Sequence, residues 1–352
     1  MSRKISKKWL PLLLCLLLGA GLVLGCTGQE TLPTGDPAAG ESEGEGAAAG
    51  EGSTLSELTL AVSPGPVSFP VAYLLEQEEE NTEKAKINTV DWRTNEQLVS
   101  MITNKQVHIA ATPIANAIRL YNKGFDIELL SVACWGTLYV VGAEDLPNGL
   151  EDLKGQEIGV TDQGGIHDLV FRHLLAQKGI DADKDLNITY LDLPESSAKL
   201  ATGDLKYAIL NEPQASMAIM GAKKNSITLT RVLDLQELWG EATGTEGRIP
   251  WAGFVMVKGS GIGDKDAADF YRRYEEACHW VNANPKEAGA IVEKHIEWMK
   301  APAVESGVPF ANLQPARGLD CKADIEAFFD ELDKTAPEDF LGGKLPDEEF
   351  YF

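Results

Sequence analysis

Several short loops in this chain carry residue types suited to holding a small molecule. The sharpest is Thr161-Asp162-Gln163-Gly164-Gly165-Ile166-His167, where Gly164 and Gly165 let a ligand approach the backbone at the start of a helix, with Gln163 beside them. It lacks the Gly-Lys-Ser/Thr ending of a Walker A loop and is not GxGxxG, so nucleotide-dependent chemistry finds no support. A second glycine-containing turn, Ser63-Pro64-Gly65-Pro66-Val67-Ser68-Phe69, offers backbone N–H groups and the Ser68 hydroxyl to an anionic or carbonyl-bearing group. Thr112-Pro113 and Asn211-Glu212-Pro213 close two further strands. Glu212 is an acceptor for an amine, amidine or amino-heterocycle, and Trp135 and Trp251 are rings that stack on a flat ligand. Each feature also has a plainer reading as turn, helix cap, dipole complement or core filler.

Catalytic constellations are thin. His108, His167, His173, His279 and His295 are scattered without HExxH or paired-ligand spacing, and no GxSxG or SxxK supplies a serine nucleophile. The expectation is therefore no enzyme, no catalytic residue, no metal and no cofactor. With 54 acidic against 31 basic residues and a net charge of −23, nucleic acid is excluded as a partner, since phosphate neutralisation needs clustered Lys and Arg. None of the candidate loops contains Lys or Arg. That counts against a strongly anionic solute held by ion pairing.

The elements that must position these loops alternate. Short β-rich runs at Glu57 to Val62, Lys86 to Val90, Val107 to Ala111, Glu128 to Ala133, Glu157 to Val160, Asn187 to Leu191 and Tyr207 to Leu210 are separated by amphipathic stretches. This is the pattern of an α/β architecture with parallel strands. Leu138 to Val141 and Phe254 to Val257 are strongly β but have no helix of their own, and read as edge strands or as strands crossing between two lobes. The crossing reading divides the chain into lobe 1 (54–141 and 248–352) and lobe 2 (142–247), with a hinge and a cleft between them. Ligands in open α/β sheets bind outside the carboxyl ends of the strands, which would aim the loops of both lobes at that cleft. Past the second crossing, Ala267, Phe270, Tyr271, Tyr274, Ala277, Cys278 and Val281 share one helical face, as do Ile325, Phe328, Phe329 and Leu332.

The N-terminus has its own organisation. Arg3, Lys4, Lys7 and Lys8 precede an apolar run from Trp9 to Leu24, which reads as a secretory signal too short and interrupted for a membrane span. Val23-Leu24-Gly25-Cys26 resembles the bacterial lipobox, in which the cysteine becomes lipidated and N-terminal. Processing there removes 25 residues and four cations, taking the charge from −23 to −27. Residues 27–53 hold seven glycines and six acidic residues and no basic ones, a disordered, self-repelling tether reaching on the order of 30 Å. Cys134, Cys278 and Cys321 remain; export permits a Cys278–Cys321 disulfide, but both lie on apolar stripes and read equally as buried thiols.

In this order, the lipobox, Leu58 to Phe69, Ala110-Ala111-Thr112-Pro113, Gly155 to Gly165, Phe171 to Gly179, Tyr207 to Pro213 and the ending Gly342 to Pro346 with Phe350-Tyr351-Phe352 resemble the substrate-binding lipoproteins of bacterial ABC importers. The similarity is to the nitrate/sulfonate/taurine and thiamine-pyrimidine-precursor group. It implies a two-lobed fold of the periplasmic-binding-protein type 2, closing on a small solute and presenting it to a permease driven by an ATPase. It further implies a monomer anchored by lipid on the extracytoplasmic side. By position, Ser68, Phe69, Thr112 and Trp135 would line the first lobe, Gln163, Gly164, Gly165 and Glu212 the second, and Trp251 the hinge. Glu212 and the aromatic rings favour a small planar nitrogen heterocycle over a sulfonate or nitrate. An enzyme on the same fold and a surface lipoprotein without a transport role are the alternatives.

Overall fold

Parallel strands covered on both faces need near-continuous apolar runs, whereas edge strands tolerate alternation. Both kinds occur in the computed structural model, which describes residues 55–63, 65–78, 85–244, 248–337 and 339–352, all within one compact unit, Ala49–Phe352. The signal, lipobox and tether fall outside the described residues, as does the other unit, Met1–Ala48. Among the described residues no helix is long and apolar enough to cross a membrane.

The chain begins with β1 (Glu57–Val62), α1 (Ser68–Glu78), β2 (Lys86–Asp91), α2 (Asn95–Thr103), β3 (Ile109–Pro113), α3 (Ile114–Asn122) and β4 (Ile127–Trp135). It continues through β5 (Leu138–Gly142), β6 (Glu157–Val160), α4 (Ile166–Gln177), α5 (Ala182–Asp185), β7 (Asn187–Tyr190) and α6 (Leu193–Thr202). Then come β8 (Tyr207–Asn211), α7 (Gln214–Lys223), β9 (Thr230–Asp234) and α8 (Leu235–Thr243). The last stretch is β10 (Pro250–Val257), α9 (Asp264–Ala283), α10 (Pro285–His295), α11 (Ala301–Gly307), β11 (Leu313–Arg317) and α12 (Lys322–Asp333).

These strands form two sheets, in the orders β11-β4-β10-β3-β1-β2 and β7-β6-β8-β5-β9. The parallel core expected from the alternation is present: β1 pairs with β2 and β3, and β6 with β7 and β8. The edge strands β2 and β7 are the polar ones, Lys-Ile-Asn-Thr-Val-Asp and Asn-Ile-Thr-Tyr. Each sheet also has an antiparallel part, through β10 and β11 in the first and β5 and β9 in the second.

Neither strand read as a crossing spans the two sheets. β5 pairs with β8 and β9 along its length, so residues 138–141, assigned from sequence to the first lobe, lie in the second sheet. β10 belongs wholly to the first. The chain instead passes outward at Gly136-Thr137 and returns just before Pro250, and these passages touch: Gly136 N–H donates to the Ile249 carbonyl at 2.8 Å. Asn312 Nδ2 donates to the Gly136 carbonyl at 3.2 Å. A side chain at Gly136 has no room, since its first carbon would stand 2.1 Å from Gln236 Oε1, and its φ of +36° suits glycine.

Both predicted apolar faces, on α9 and α12, are buried, and Phe254, Phe270 and Tyr274 stack edge to face beneath the first sheet. The Cys278–Cys321 disulfide is not formed: Cys134, Cys278 and Cys321 are all free and buried. Cys321 Sγ donates to the Arg317 carbonyl at 3.0 Å at the start of α12, whereas Cys278 sits beside Tyr274 within α9. Burial pushes the Cys134 and Cys321 thiols up to about 12, so both stay protonated and unreactive at neutral pH.

β10 is flanked on both sides, and at Gly253 it lies tight against β4: a Cβ there would lie 1.9 Å from the Ser131 carbonyl oxygen. Gly253→Ala therefore forces the central strands apart and costs about 1–3 kcal/mol. A urea unfolding midpoint unchanged from wild type would contradict this packing.

Candidate functional site

The carboxyl ends of β1, β2, β3, β6 and β8 converge on a cleft of about 650 Å³, a size suited to a small ligand. The first sheet contributes Ser63, Gly65, Pro66 and Val67 after β1, Trp92, Arg93 and Asn95 after β2, and Pro113, Asn116 and Arg119 after β3. The second contributes the whole of Thr161 to His167 after β6, together with Leu193 and Asn211. Trp251 and Ala252 of β10 also line it.

Of the residues picked out from sequence, Gln163, Gly164, Gly165 and Trp251 line this cleft. Ser68 does not: its hydroxyl donates to the Gly65 carbonyl at 2.7 Å, and the residue borders an adjoining recess of about 360 Å³ that shares Ser63 and Arg93 with the cleft. Phe69 is fully buried in the core beneath. Thr112 is also buried, its Oγ1 accepting from Asn116 Nδ2 at 2.9 Å. Trp135 turns away from the cleft, with its indole N–H donating to the Gln314 carbonyl at 2.8 Å and the Arg248 guanidinium stacked 3.7 Å from the ring.

Glu212 is the largest correction. Its side chain is 0% exposed and paired with Arg231, whose Nε donates to Oε1 at 2.8 Å and whose Nη2 bonds both that oxygen and Ser216 Oγ. Burial raises the carboxyl's pKa and Arg231 offsets part of the rise. A carboxylate so enclosed is a structural partner of β9 and is no acceptor for a solute.

The glycine loop departs from expectation in a different way. Gly164 N–H donates to Asp168 Oδ2 at 2.9 Å and Gly165 N–H to the Asp162 carbonyl at 2.7 Å, so both amides are already satisfied. Asp168 is buried at 2% exposure and held by Arg172 Nε at 2.8 Å and the Tyr190 hydroxyl at 3.1 Å. The start of α4 thus has its own resident carboxylate. The loop shapes the wall but its glycine amides are not free to receive a ligand.

Two cations of the first sheet's side were missed from sequence: Arg93 and Arg119 both line the cleft. Arg93 follows Trp92, whose indole N–H is pinned to the Ala111 carbonyl at 3.0 Å, and precedes the capping box of α2, where Gln97 Oε1 accepts from Arg93 N–H at 2.8 Å. Its guanidinium has no acceptor among the described residues. Arg119 sits in the second turn of α3, and its Nη2 donates to Asn116 Oδ1 at 2.7 Å, which in turn leans on Thr112. The available signal was helical spacing: Asn116 and Arg119 fall at i and i+3 of α3.

The side chains of Thr161, His167 and Asn211 share one wall of the cleft. Thr161 Oγ1 is buried without a hydrogen-bond partner among the described residues, and the buried His167 imidazole lies against the Asn211 side chain. The His167 ring stands edge-on to Trp251, centroids 5.0 Å apart. Burial outweighs the favourable influence of Asn211 and lowers the imidazole to about 4, so it is neutral at pH 7.

Between pH 6.5 and about 4 the unfolded chain binds a proton at His167 that the folded chain refuses, so the residue withdraws stability as pH falls through that window. His167→Gln removes this component. The urea midpoint of the variant relative to wild type should therefore rise between pH 7.5 and pH 5; a difference that stays constant would exclude a neutral, buried imidazole.

Residues 82–242 match the model of the NMT1-like family. No curated protein matches the chain. Among solved structures, an ABC transporter from Parabacteroides distasonis is 21% identical, with 84% of this chain and 98% of that one covered and a TM-score of 0.70. The periplasmic aliphatic sulphonate-binding protein of Escherichia coli is 14% identical over 81% of this chain and 98% of its own, with a TM-score of 0.58. For the periplasmic nitrate-binding protein of Synechocystis PCC 6803 the values are 15%, 81%, 87% and 0.56. The chain is folded as these proteins are, and the expected likeness in fold to the substrate-binding proteins of ABC importers is borne out.

Proposed function

We propose that this protein is the solute-capturing component of an ABC importer and that its cleft takes a small anion. The observation that carries the reading is the placement of Arg93 and Arg119 on one wall of the cleft at the strand ends. Guanidinium groups suit carboxylate, sulfonate and related oxyanions because their donors form a planar fork. The planar heterocycle favoured by the sequence rested on Glu212, which Arg231 occupies, and on the aromatic rings, of which Trp251 lines the cleft and Trp135 turns away. The sulfonate- and nitrate-type alternative named alongside it is retained, and the sulphonate- and nitrate-binding proteins of like fold support it.

In this reading the two sheets are the walls of a clamp. The solute binds the arginines first and the second wall closes over it, so affinity reflects contacts made only in the closed state. The loaded protein then docks on its permease. Lobe 1 comprises residues 54–137 and 248–352, with β5 moved to lobe 2 on the sheet pairing. Cys26 supplies a lipid anchor on the extracytoplasmic side and residues 27–53 the tether, which keep a monomeric protein near the permease.

Thermal-shift screening of sulfonates, carboxylates and nitrate should find a stabilising anion, and Arg93→Gln or Arg119→Gln should each weaken it by about tenfold to a hundredfold, the worth of one charge-assisted hydrogen bond. If no anion stabilises the protein, or both variants bind as wild type does, the reading fails. For the anchor, Cys26→Ser in a bacterial host should move the protein from the membrane to the soluble extracytoplasmic fraction; equal membrane retention would refute lipidation at that cysteine.

A further inference from the structure

Away from the cleft, α12, which follows β11 of the first sheet, meets α4 and α8, which follow β6 and β9 of the second. The place is fixed by Trp135, which turns away from the cleft: Arg248 is stacked on its ring and donates through Nη1 to Asp324 Oδ2 at 2.9 Å. One turn further along α12, Phe328 packs on the Trp239 ring of α8, centroids 4.8 Å apart. Another turn on, Glu331 Oε1 stands 3.7 Å from His173 Nε2 of α4. These residues are separate from those that line the cleft. The contact is loosely filled, with a recess of about 260 Å³ among Trp239, Arg248, Asp324, Phe328 and Glu331.

His173 is the titrating group at its centre. The residue is 3% exposed, with the Trp239 ring tilted against it at 4.7 Å and Gln177 Nε2 of its own helix 3.4 Å from its Nε2. At 3.7 Å the Glu331 carboxylate is too far for a hydrogen bond, and its other oxygen is taken by Lys334. A proton on this ring is therefore poorly compensated. Burial opposes it most, Glu331 favours it and Lys334 opposes it, and the balance lies below the ordinary histidine value of 6.5. Separating α12 from α4 returns the ring to water and to that ordinary value. By linkage the contact has its full strength above pH 6.5 and is weakened as pH falls below it.

Resting on the proposed function, we propose that His173 is a proton-operated release between the two walls of the clamp: neutral, it lets α12 seat on α4 and α8, and protonated, it drives them apart. In the seated arrangement the cleft stands open, with Arg93, Asp162 and Gln163 of its lining exposed. α4 runs from the cleft, where Ile166 and His167 line it, to His173 about two turns on, so movement at one end of the helix is movement at the other. The paired passages at Gly136 and Ile249 lie between and act as the fulcrum. Parting at the back lets the walls approach at the front, and solute binding tightens in acid.

Hydrogen exchange tests the release without any solute. The exchange rate of the α12 amides in wild type relative to His173→Gln, which keeps a neutral polar group there, should be about threefold higher or more at pH 5 than at pH 7.5. A ratio that does not change overturns the release. Glu331→Gln, which removes the attraction for the proton and leaves the burial, should enlarge the acid response of α12 once the intrinsic pH dependence of exchange is corrected for; a smaller response than wild type reverses the sign and overturns the proposal. This second variant decides the matter should His173→Gln not fold. Isothermal titration with nitrate and with ethanesulfonate, neither of which titrates in this range, should give a wild-type affinity about threefold tighter or more at pH 5 than at pH 7.5, and a flat profile in His173→Gln. A wild-type profile that is flat or reversed, or one that the variant shares, overturns the link to the cleft. If neither anion binds at either pH, the anion reading fails and the exchange measurement alone decides the release.

Discussion

Everything in this molecule that faces the cleft depends on where the chain passes between its two sheets. The outward passage at Gly136 and the return passage at Ile249 are tied by one backbone hydrogen bond of 2.8 Å, and Gln236 fills the space that a side chain at Gly136 would need. Gln236 Oε1 also accepts from Ile249 N–H at 3.3 Å, and Asn312 holds the Gly136 carbonyl from below. With the two passages fixed side by side, the strand ends of both sheets are committed to facing one another. Shift either passage by a residue and β5 or β10 presents its opposite face, since side chains alternate along a strand.

The polar groups around the cleft divide into those whose partners are inside the protein and those whose partners are not. Glu212 with Arg231, and Asp168 with Arg172 and Tyr190, are closed arrangements that hold β8, β9 and the start of α4 in place. Thr161, whose buried Oγ1 has no partner among the described residues, is an open one. Such closed networks are rigid supports. Charge follows the same division, because the buried carboxylates nearest the cleft are neutralised by arginines of the second sheet while Arg93 and Arg119 of the first remain available.

How much of this the residues disclose in advance depends on how local each feature is. β1, β3, β6 and β8 announce themselves by apolar runs, and the stripes of α9 and α12 by their spacing; all are buried where expected. The strand-end loops are local too, and Gln163, Gly164, Gly165 and Trp251 do reach the cleft. What failed was pairing over distance. Glu212 looked like an open acceptor because its partner, Arg231, lies on β9, a short half-polar strand with no clear pattern of its own. Arg119 lies beyond the loop that ends β3, in the second turn of α3, and a long side chain there reaches back over its own N-terminus. The disulfide failed similarly, two cysteines on apolar stripes of different helices having no sequence signal for whether their sulfurs meet.

The bonds behind Arg119 give the two arginines different thermodynamic characters. Arg119 is leaned on Asn116, and Asn116 on Thr112 of β3, so its guanidinium fork is oriented before any solute arrives and little rotational freedom remains to be lost. Arg93 is exposed and without an acceptor among the described residues, so under the proposed function it is ordered by the solute itself. Under that proposal one is a standing anchor whose worth is enthalpic, the other a clasp whose worth is reduced by the entropy of closing.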